Sequence, residues 1–376
     1  MNDLTPGQRA WHVFKKNRAA MAGLLLIALA FFTAVFAYML MPDDSPNANS
    51  MSLPLSLKKP GASFKVLLIP NQDKQERPGV LSAFFSGKPL VYRQVPITSY
   101  QIKADSVIVD EYVSSEDKPE RRAFALSTFS KPALTTNKSS FANQFIENKT
   151  FWLGSDIYGR DLLSRVILGT RISLAVGIMA VLISLVVGVT IGAVAGYYGG
   201  KTDAVLSWVM NILWSLPALL LVIALSFALG KGLWQIFIAV GLSMWVEAAR
   251  LVRGQVISLK QAEYIEAARA LGYTNSRIIT RHILPNMAGP VMVIAASNFA
   301  SAILLEAGLS FLGFGAQPPV PTWGGMIREH YGYIIMDAAY LAIIPGLAIM
   351  IMVYAFNLVT TGLRDAFDIK SQNVRL

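Results

Sequence analysis

The chain has no cysteine, three histidines (His12, His282, His330) and only 15% charged residues in 376. Each scarcity removes a class of explanation. Without cysteine there is no disulfide framework and no thiolate metal site. None of the histidines falls between Pro42 and Arg165, so that long polar stretch has no His/Cys metal site. So little charge beside 54% hydrophobic residues is far from the balance of a soluble globular domain. Internal repeats and low-complexity tracts are absent as well.

What is abundant is apolar sequence in long runs. A bilayer about 30 Å thick is crossed by roughly 20 apolar residues in a helix rising about 1.5 Å per residue. The runs predict spans over 19–41, 172–198, 207–229, 233–246, 287–306 and 334–361. The first follows four basic residues (Arg9, Lys15, Lys16, Arg18), as a signal peptide does. Its apolar run is longer than a signal h-region of roughly 7 to 15 residues, so it reads as a retained helix. Six spans place both termini on one side of the membrane.

Orientation follows from Lys and Arg in short connections. The head, residues 1–18, carries those four basic residues and one acid. Residues 247–282 carry Arg250, Arg253, Lys260, Arg269, Arg277 and Arg281 against Glu247, Glu263 and Glu266. Both are expected in the cytoplasm, as is the tail, 363–376. The net charge of +10 is then largely a topology signal; it favours anionic lipid heads and does not call for nucleic acid.

Residues 42–165 are thereby expected outside as an extracytoplasmic insert. Alternating runs at 64–69 and 90–113, broken by Pro60, Pro70, Pro78, Pro89 and Pro96, predict short strands and a small β-rich domain. Asn137 and Asn148 match the Asn-x-Ser/Thr glycosylation pattern, read here as chance matches.

Ala195 to Thr202 approaches a phosphate-binding loop, with Gly200-Lys201-Thr202 at its end. Ala195 stands where the first glycine is required, and the segment ends a hydrophobic helix instead of following a strand, so no nucleotide site is read there. Gly196, Gly199 and Gly200 read instead as a helix end and turn, and Gly188, Gly192 and Gly196 line one helix face for close packing.

The most specific signal is Glu263-Tyr264-Ile265-Glu266-Ala267-Ala268-Arg269-Ala270-Leu271-Gly272, continuing to His282-Ile283-Leu284-Pro285-Asn286. Helix formers run from Gln261 to Leu271, Gly272 interrupts them, and a second segment from Asn275 is expected to end near Pro285. This hairpin resembles that of the inner-membrane permease subunits of ABC importers: Glu-Ala-Ala, three residues, Gly, nine residues, then a hydrophobic position two before Leu-Pro. Glu266, Ala267, Ala268, Gly272, Leu284 and Pro285 match; His282 departs at the hydrophobic position. His-x-Leu-Pro-Asn is similar to the peptide-permease branch. The resemblance implies that loop 247–286 docks on an ATPase, with Ala267 and Ala268 allowing close contact, Glu266 supplying a charge or cap and Gly272 setting the bend.

Two more stretches resemble the dipeptide and oligopeptide permeases. One is Gly154-Ser155-Asp156-Ile157-Tyr158-Gly159-Arg160-Asp161, with Ser155 where Thr is usual; Asp156 with Arg160, and Asp161 with Arg165, are spaced to pair on a short interfacial helix. The other runs from Glu306 to Gly315 and on to Pro321-Thr322-Trp323-Gly324. A carboxylate at Glu306 is expected to face the bundle, a watery path or the outer interface, or to cap the glycine-rich turn, with Trp323 as interfacial anchor.

The resemblance implies an all-α polytopic membrane protein with the six-helix, MetI-like fold of type I ABC importer permeases, its core at 166–362, in a bacterial inner membrane. It implies a non-catalytic pore half with a homologous second permease, two ATPase subunits that bind ATP and Mg, and an external binding protein delivering peptide; this chain binds no cofactor or metal. Nickel and glutathione are alternative cargoes within the group. Rivals are a secondary transporter using Glu306 or Asp337 and an anchored enzyme carried by the insert.

Overall fold

The computed structural model describes residues 6–71, 79–103, 105–114, 117–129, 138–230 and 232–367. An amphipathic helix α1 (Pro6–Lys16) precedes α2 (Arg18–Val35), capped by the Asn17 side chain, which accepts from the Ala20 amide. After a break at Phe36 comes a single turn, α3 (Ala37–Leu40). The first apolar run is thus two helical pieces.

The insert contains β1 (Ala62–Pro70), α4 (Val80–Ser86), β2 (Tyr92–Ile102), β3 (Ser106–Glu111), β4 (Glu120–Ala125), α5 (Lys138–Phe145) and β5 (Ile146–Phe151). The strands form one antiparallel sheet in the order β4-β3-β2-β1-β5, with Lys65 opposite both Ile97 and Asn148. Alternation puts Leu67, Ile69, Val95, Ile97, Val107 and Val109 on one face, closed by Phe129, Phe141 and Phe145. Asn148 lies within β5; Asn137 falls outside the described residues. Phe84 meets Phe36 edge-on, and Arg171 donates to the Phe85 carbonyl, fastening the insert to the helices below.

The membrane core continues with α6 (Leu162–Tyr198), α7 (Gly200–Ser215), α8 (Ala218–Leu229), α9 (Leu233–Leu259), α10 (Glu263–Ala270), α11 (Asn275–Ile278), α12 (Ala288–Phe311), α13 (Trp323–His330) and α14 (Tyr340–Phe367). Among the described residues, five helical runs are long and apolar enough to cross a bilayer; α7 and α8 make a sixth crossing if taken as one broken span. That pair corrects the single helix expected at 207–229: Pro217 forces Leu216 into an extended conformation (φ −83°, ψ 137°), and the two halves bend by 97°. Helix α6, 37 residues and so roughly 55 Å long, exceeds the hydrocarbon thickness, so part of it stands outside. Its Gly188 and Gly192 admit α9: a Cβ there would lie 2.7 Å from Ala248 Cβ and 2.4 Å from the Ala249 carbonyl oxygen. Gly196 belongs to the same contact and not to the turn; Gly199 (φ +67°) and Gly200 (φ +55°) make the turn.

Pro285 does not end a helix, contrary to the sequence expectation. The chain passes from α11 through a π-helical turn (Ile279–Ile283) and a 3-10 turn (Leu284–Met287) into α12, so that 275–311 is one helical path. The change of winding absorbs the missing amide and the ring. Likewise α9 carries 247–259 as helix, so only the later part of 247–286 is hairpin. Helix α14 runs to Phe367; the residues after it lie outside the described ones.

Candidate functional site

Two clusters hold the residues singled out by the sequence, one at each end of the bundle. The one at the end that bears the insert, called outer after the expected topology, is built around the turn before α6. Asp156 Oδ1 accepts from the amides of Tyr158 and Arg160, which closes the turn, and Oδ2 accepts from Arg160 Nε at 2.5 Å. Arg160 also reaches Glu329 Oε2 at 2.8 Å and lies over the Tyr158 ring. Arg165 stands 3.5 Å from Glu329 and 3.8 Å from Asp156. Asp156, Arg160 and Arg165 are at most 2% exposed. Two guanidinium groups thus balance two carboxylates across α6 and α13, a pairing over 169 residues of sequence.

The expected Asp161–Arg165 pair does not form, and the segment is a turn rather than a short helix. Asp161 is the N-cap of α6: its Oδ2 accepts from the Ser164 amide at 2.8 Å and from the Ser164 hydroxyl. Capping satisfies an orphan amide of the first turn, and Arg165 is left to turn toward Glu329. The glycines serve close approach. At Gly159 (φ +71°) a Cβ would collide with the Ser52 carbonyl, and at Gly154 (φ +87°) with the Lys58 carbonyl and Tyr340. Ser155 is buried, donating to the Leu55 carbonyl and accepting from the Lys58 amide.

Sequence reasoning missed Glu329 and His330. No local spacing links them to Asp156, and the only signal is an Arg-Glu-His run between two apolar segments. His330 is fully buried; its Nδ1 lies 2.7 Å from the Met326 carbonyl oxygen and its Nε2 has no partner. Burial pushes its pKa below the ordinary imidazole value. Asp156, Glu329 and His330 bring ligand atoms within 4.8 Å, a spacing that fits a metal ion. Arg160 and Arg165 already neutralise both carboxylates, so an added divalent cation would leave a buried excess of positive charge.

Glu306 is 1% exposed inside the bundle. Ser310 Oγ donates to its Oε1 at 2.7 Å and Ser173 Oγ to its Oε2 at 3.4 Å. Its partners are hydroxyl side chains, one on α6 and one a turn later on α12, and not the backbone of the glycine-rich turn. Trp323 is buried, contrary to its expected place as an interfacial anchor: Gly169 makes room for the ring and the indole donates to the Val166 carbonyl. Asp337 is exposed and pairs with Lys59 at 3.6 Å, which removes it as an intramembrane carboxylate.

The cytoplasm-assigned cluster is the hairpin α10–α11. Ile265 and Ala268 point inward, packing with Val252, Val256, Ile278, Ile283 and Met287. Glu266 and Ala267 are exposed, as are Gly272 and Pro285, and Leu284 is half-buried. Ala268 therefore does not share the outward surface with Ala267. Gly272 adopts φ +77°, with open space where a Cβ would stand, so conformation and not crowding requires glycine there. Tyr197, at the end of α6, steadies the hairpin: its hydroxyl donates to Asn275 Oδ1, and Lys260 and Arg269 lie against its ring.

Comparison with known proteins places this arrangement. Residues 188–371 match the family described as the binding-protein-dependent transport system inner membrane component, and residues 5–60 match the N-terminal TM domain of oligopeptide transport permease C. The dipeptide transport system permease protein DppC of Alkalihalophilus pseudofirmus is 41% identical over 257 residues, 67% of this chain and 84% of its own. The chain belongs to the binding-protein-dependent transport system inner membrane component family. A glutathione transport system permease protein, GsiD of Pectobacterium atrosepticum, is 44% identical over 58% of this chain and 72% of its own. A chain of an inward-facing structure of the MetNI methionine ABC transporter aligns with a TM-score of 0.41 and 19% identity over 54% of this chain and 96% of its own.

Membership makes the chain a multi-pass inner-membrane ABC permease, with a β-sheet domain added. The two matched stretches leave 61–187 between them, which contains the whole sheet and, of the outer charge cluster, Asp156, Arg160 and Arg165 but not Glu329.

Proposed function

We propose that this chain forms half of the translocation pathway of an ATP-driven peptide importer and performs no chemistry itself. A homologous second permease completes the path, two ATPase subunits holding ATP and Mg dock on loop 247–286, and an external binding protein delivers the peptide. Both termini and the hairpin are cytoplasmic, and the insert is outside. Peptide as cargo is favoured by relatives named for dipeptide and oligopeptide transport.

The observation that carries this reading is the division of the hairpin's residues. Ile265 and Ala268 are spent on the chain's own core, whereas Glu266, Ala267 and the Gly272 bend are turned outward on a segment too charged to enter lipid. A small residue on an exposed, fixed helix leaves room for another surface to pack closely against it. Glu306, held by hydroxyls away from lipid, is read as a tie between α6 and α12 at the edge of the path.

The test is co-purification. A tagged chain extracted in mild detergent should bring down a second permease and an ATPase, and Ala267→Glu should release the ATPase alone. Recovery of neither partner would overturn the reading. A thiol at Ser114→Cys should react from outside and one at Ser276→Cys only after the membrane is permeabilised; the reverse pattern would invert the orientation.

A further inference from the structure

Between the insert and the helix bundle lies a cavity of about 380 Å³, within the range of roughly 300 to 1,000 Å³ of small-molecule sites. One wall is strands β1, β2 and β5; the other is the 42–44 segment and the start of α6. Asp43, Asp44 and Asp161 belong to the bundle side, Asp44 already paired with Lys88, and Lys149 and Glu147 belong to the sheet side on β5.

Three features separate this cavity from a surface dent. Asp161 is 1% exposed, and its Oδ1 has no partner although Oδ2 is saturated by Ser164. Asp43, also buried, is locked as an acceptor by the amides of Ser45 and Ser50. Lys149 is half-buried: its ammonium donates to Gln94 Oε1 at 2.8 Å, lies over the Phe151 ring, and among the described residues forms no ion pair. An ammonium and a carboxylate therefore line the same space without forming an ion pair. Burial, the largest influence on both, holds the Asp161 carboxyl above the usual carboxylate range and Lys149 below the usual amine range.

A simple cation would leave Lys149 without a counter-charge, and an anion would meet Asp43, Asp44, Glu147 and Asp161. A molecule with a positive and a negative end meets neither objection. We infer that this cavity is an extracytoplasmic site for a small zwitterion, whose carboxylate is received by Lys149 and Gln94 and whose ammonium is received by Asp161 and Asp43. A free dipeptide has both ends. The charges of the cavity select the zwitterion; that it is a peptide rests on the import reading above. Bound there, it would bridge the insert to the N-cap of α6, so the site would register peptide outside the membrane.

The experiment uses the complete importer in lipid nanodiscs without its binding protein, and radiolabelled alanyl-alanine as probe, with N-acetyl-alanyl-alanine and alanyl-alanine amide as competitors. Saturable binding is expected, with each blocked competitor about tenfold weaker or more, the size of a lost charge-assisted hydrogen bond. Lys149→Met should weaken alanyl-alanine by a similar factor and leave the amide unchanged; Asp161→Asn, which keeps an acceptor for Ser164, should do the same for the acetylated probe. Absence of saturable binding to the wild type would overturn the inference, as would unchanged affinity in Lys149→Met. If Asp161→Asn fails to fold, the Lys149 arm decides alone. Uptake into proteoliposomes of the same complex, with its binding protein added, separates the two readings: import without this binding overturns only the zwitterion site, and binding without import overturns only the import reading.

Discussion

The two ends of the bundle treat charge in opposite ways. At the outer end Asp156, Arg160, Arg165 and Glu329 face one another inside the fold, and glycines at 154 and 159 let neighbouring backbone close over them. At the hairpin Glu266 and Arg269 are exposed, and only Ile265, Ala268 and their neighbours face inward. A region that turns its charges inward ties the chain to itself; one that turns them outward leaves them for another molecule. Substitution should therefore separate folding from coupling, region by region.

The largest effect is expected in the outer cluster. Arg160→Met would leave the buried Asp156 and the half-buried Glu329 with only the more distant Arg165, and breaking a buried pair from one side destabilises by about 3–5 kcal/mol. Monodisperse yield in detergent should collapse. Wild-type yield and melting temperature would show that this cluster does not hold the outer end together.

Next comes a pair of adjacent substitutions that should fail for different reasons. Ala267→Glu alters an exposed position, so stability should stay within about 0.5 kcal/mol of wild type while peptide-stimulated ATP hydrolysis and uptake fall. Ala268→Glu forces a carboxylate into the core beside Ile265 and Ile278, and membrane levels themselves should drop. If the two behaved alike, the hairpin would not have the inward and outward faces assigned to it.

Gly272 should give a smaller and graded effect. Open space surrounds a Cβ there, so only the positive φ penalises a side chain, by about 1–2 kcal/mol for an ordinary residue. Gly272→Ala and Gly272→Leu should reduce coupled hydrolysis to a similar degree, and Gly272→Asn less, because asparagine enters the left-handed region more readily. A loss that grew with side-chain size would mean that crowding at the dock, and not the bend, is the constraint.

These contrasts also explain what was legible in the sequence. The hairpin could be read because its determinants are local: a helix-forming run, a glycine at the bend, a fixed interval to Leu284-Pro285. The apolar runs gave the spans for the same reason. Pro217 was visible as a residue, yet the 97° bend at it depends on how α8 packs against α9. Pro285 was read as a stop because a change of helical winding leaves no mark in a single sequence. At the outer end the Asp156–Arg160 pair was legible at four residues' spacing, though as a helix contact rather than a turn. Arg165 was assigned to its neighbour Asp161 because its partner Glu329 is distant in sequence, and Asp161 was already engaged as a cap.

His330 offers the finest test of the same contrast, because it adds a titratable group to the closed end. Its Nδ1 contacts the Met326 carbonyl, its Nε2 is bare, and the charged groups around it are Asp156, Glu329 and Arg165. Burial outweighs the two carboxylates and lowers its pKa in the fold. Below about pH 6.5 an unfolded chain takes up a proton here that the folded chain refuses. The stabilisation is therefore complete above that pH and is lost as pH falls. Between about pH 7.5 and about pH 5.5 the melting temperature of the wild type should drop by about 1–3 °C more than that of His330→Gln, which cannot titrate. Equal drops would show that the imidazole is free to protonate and that the outer cluster admits charge as readily as the exposed hairpin does.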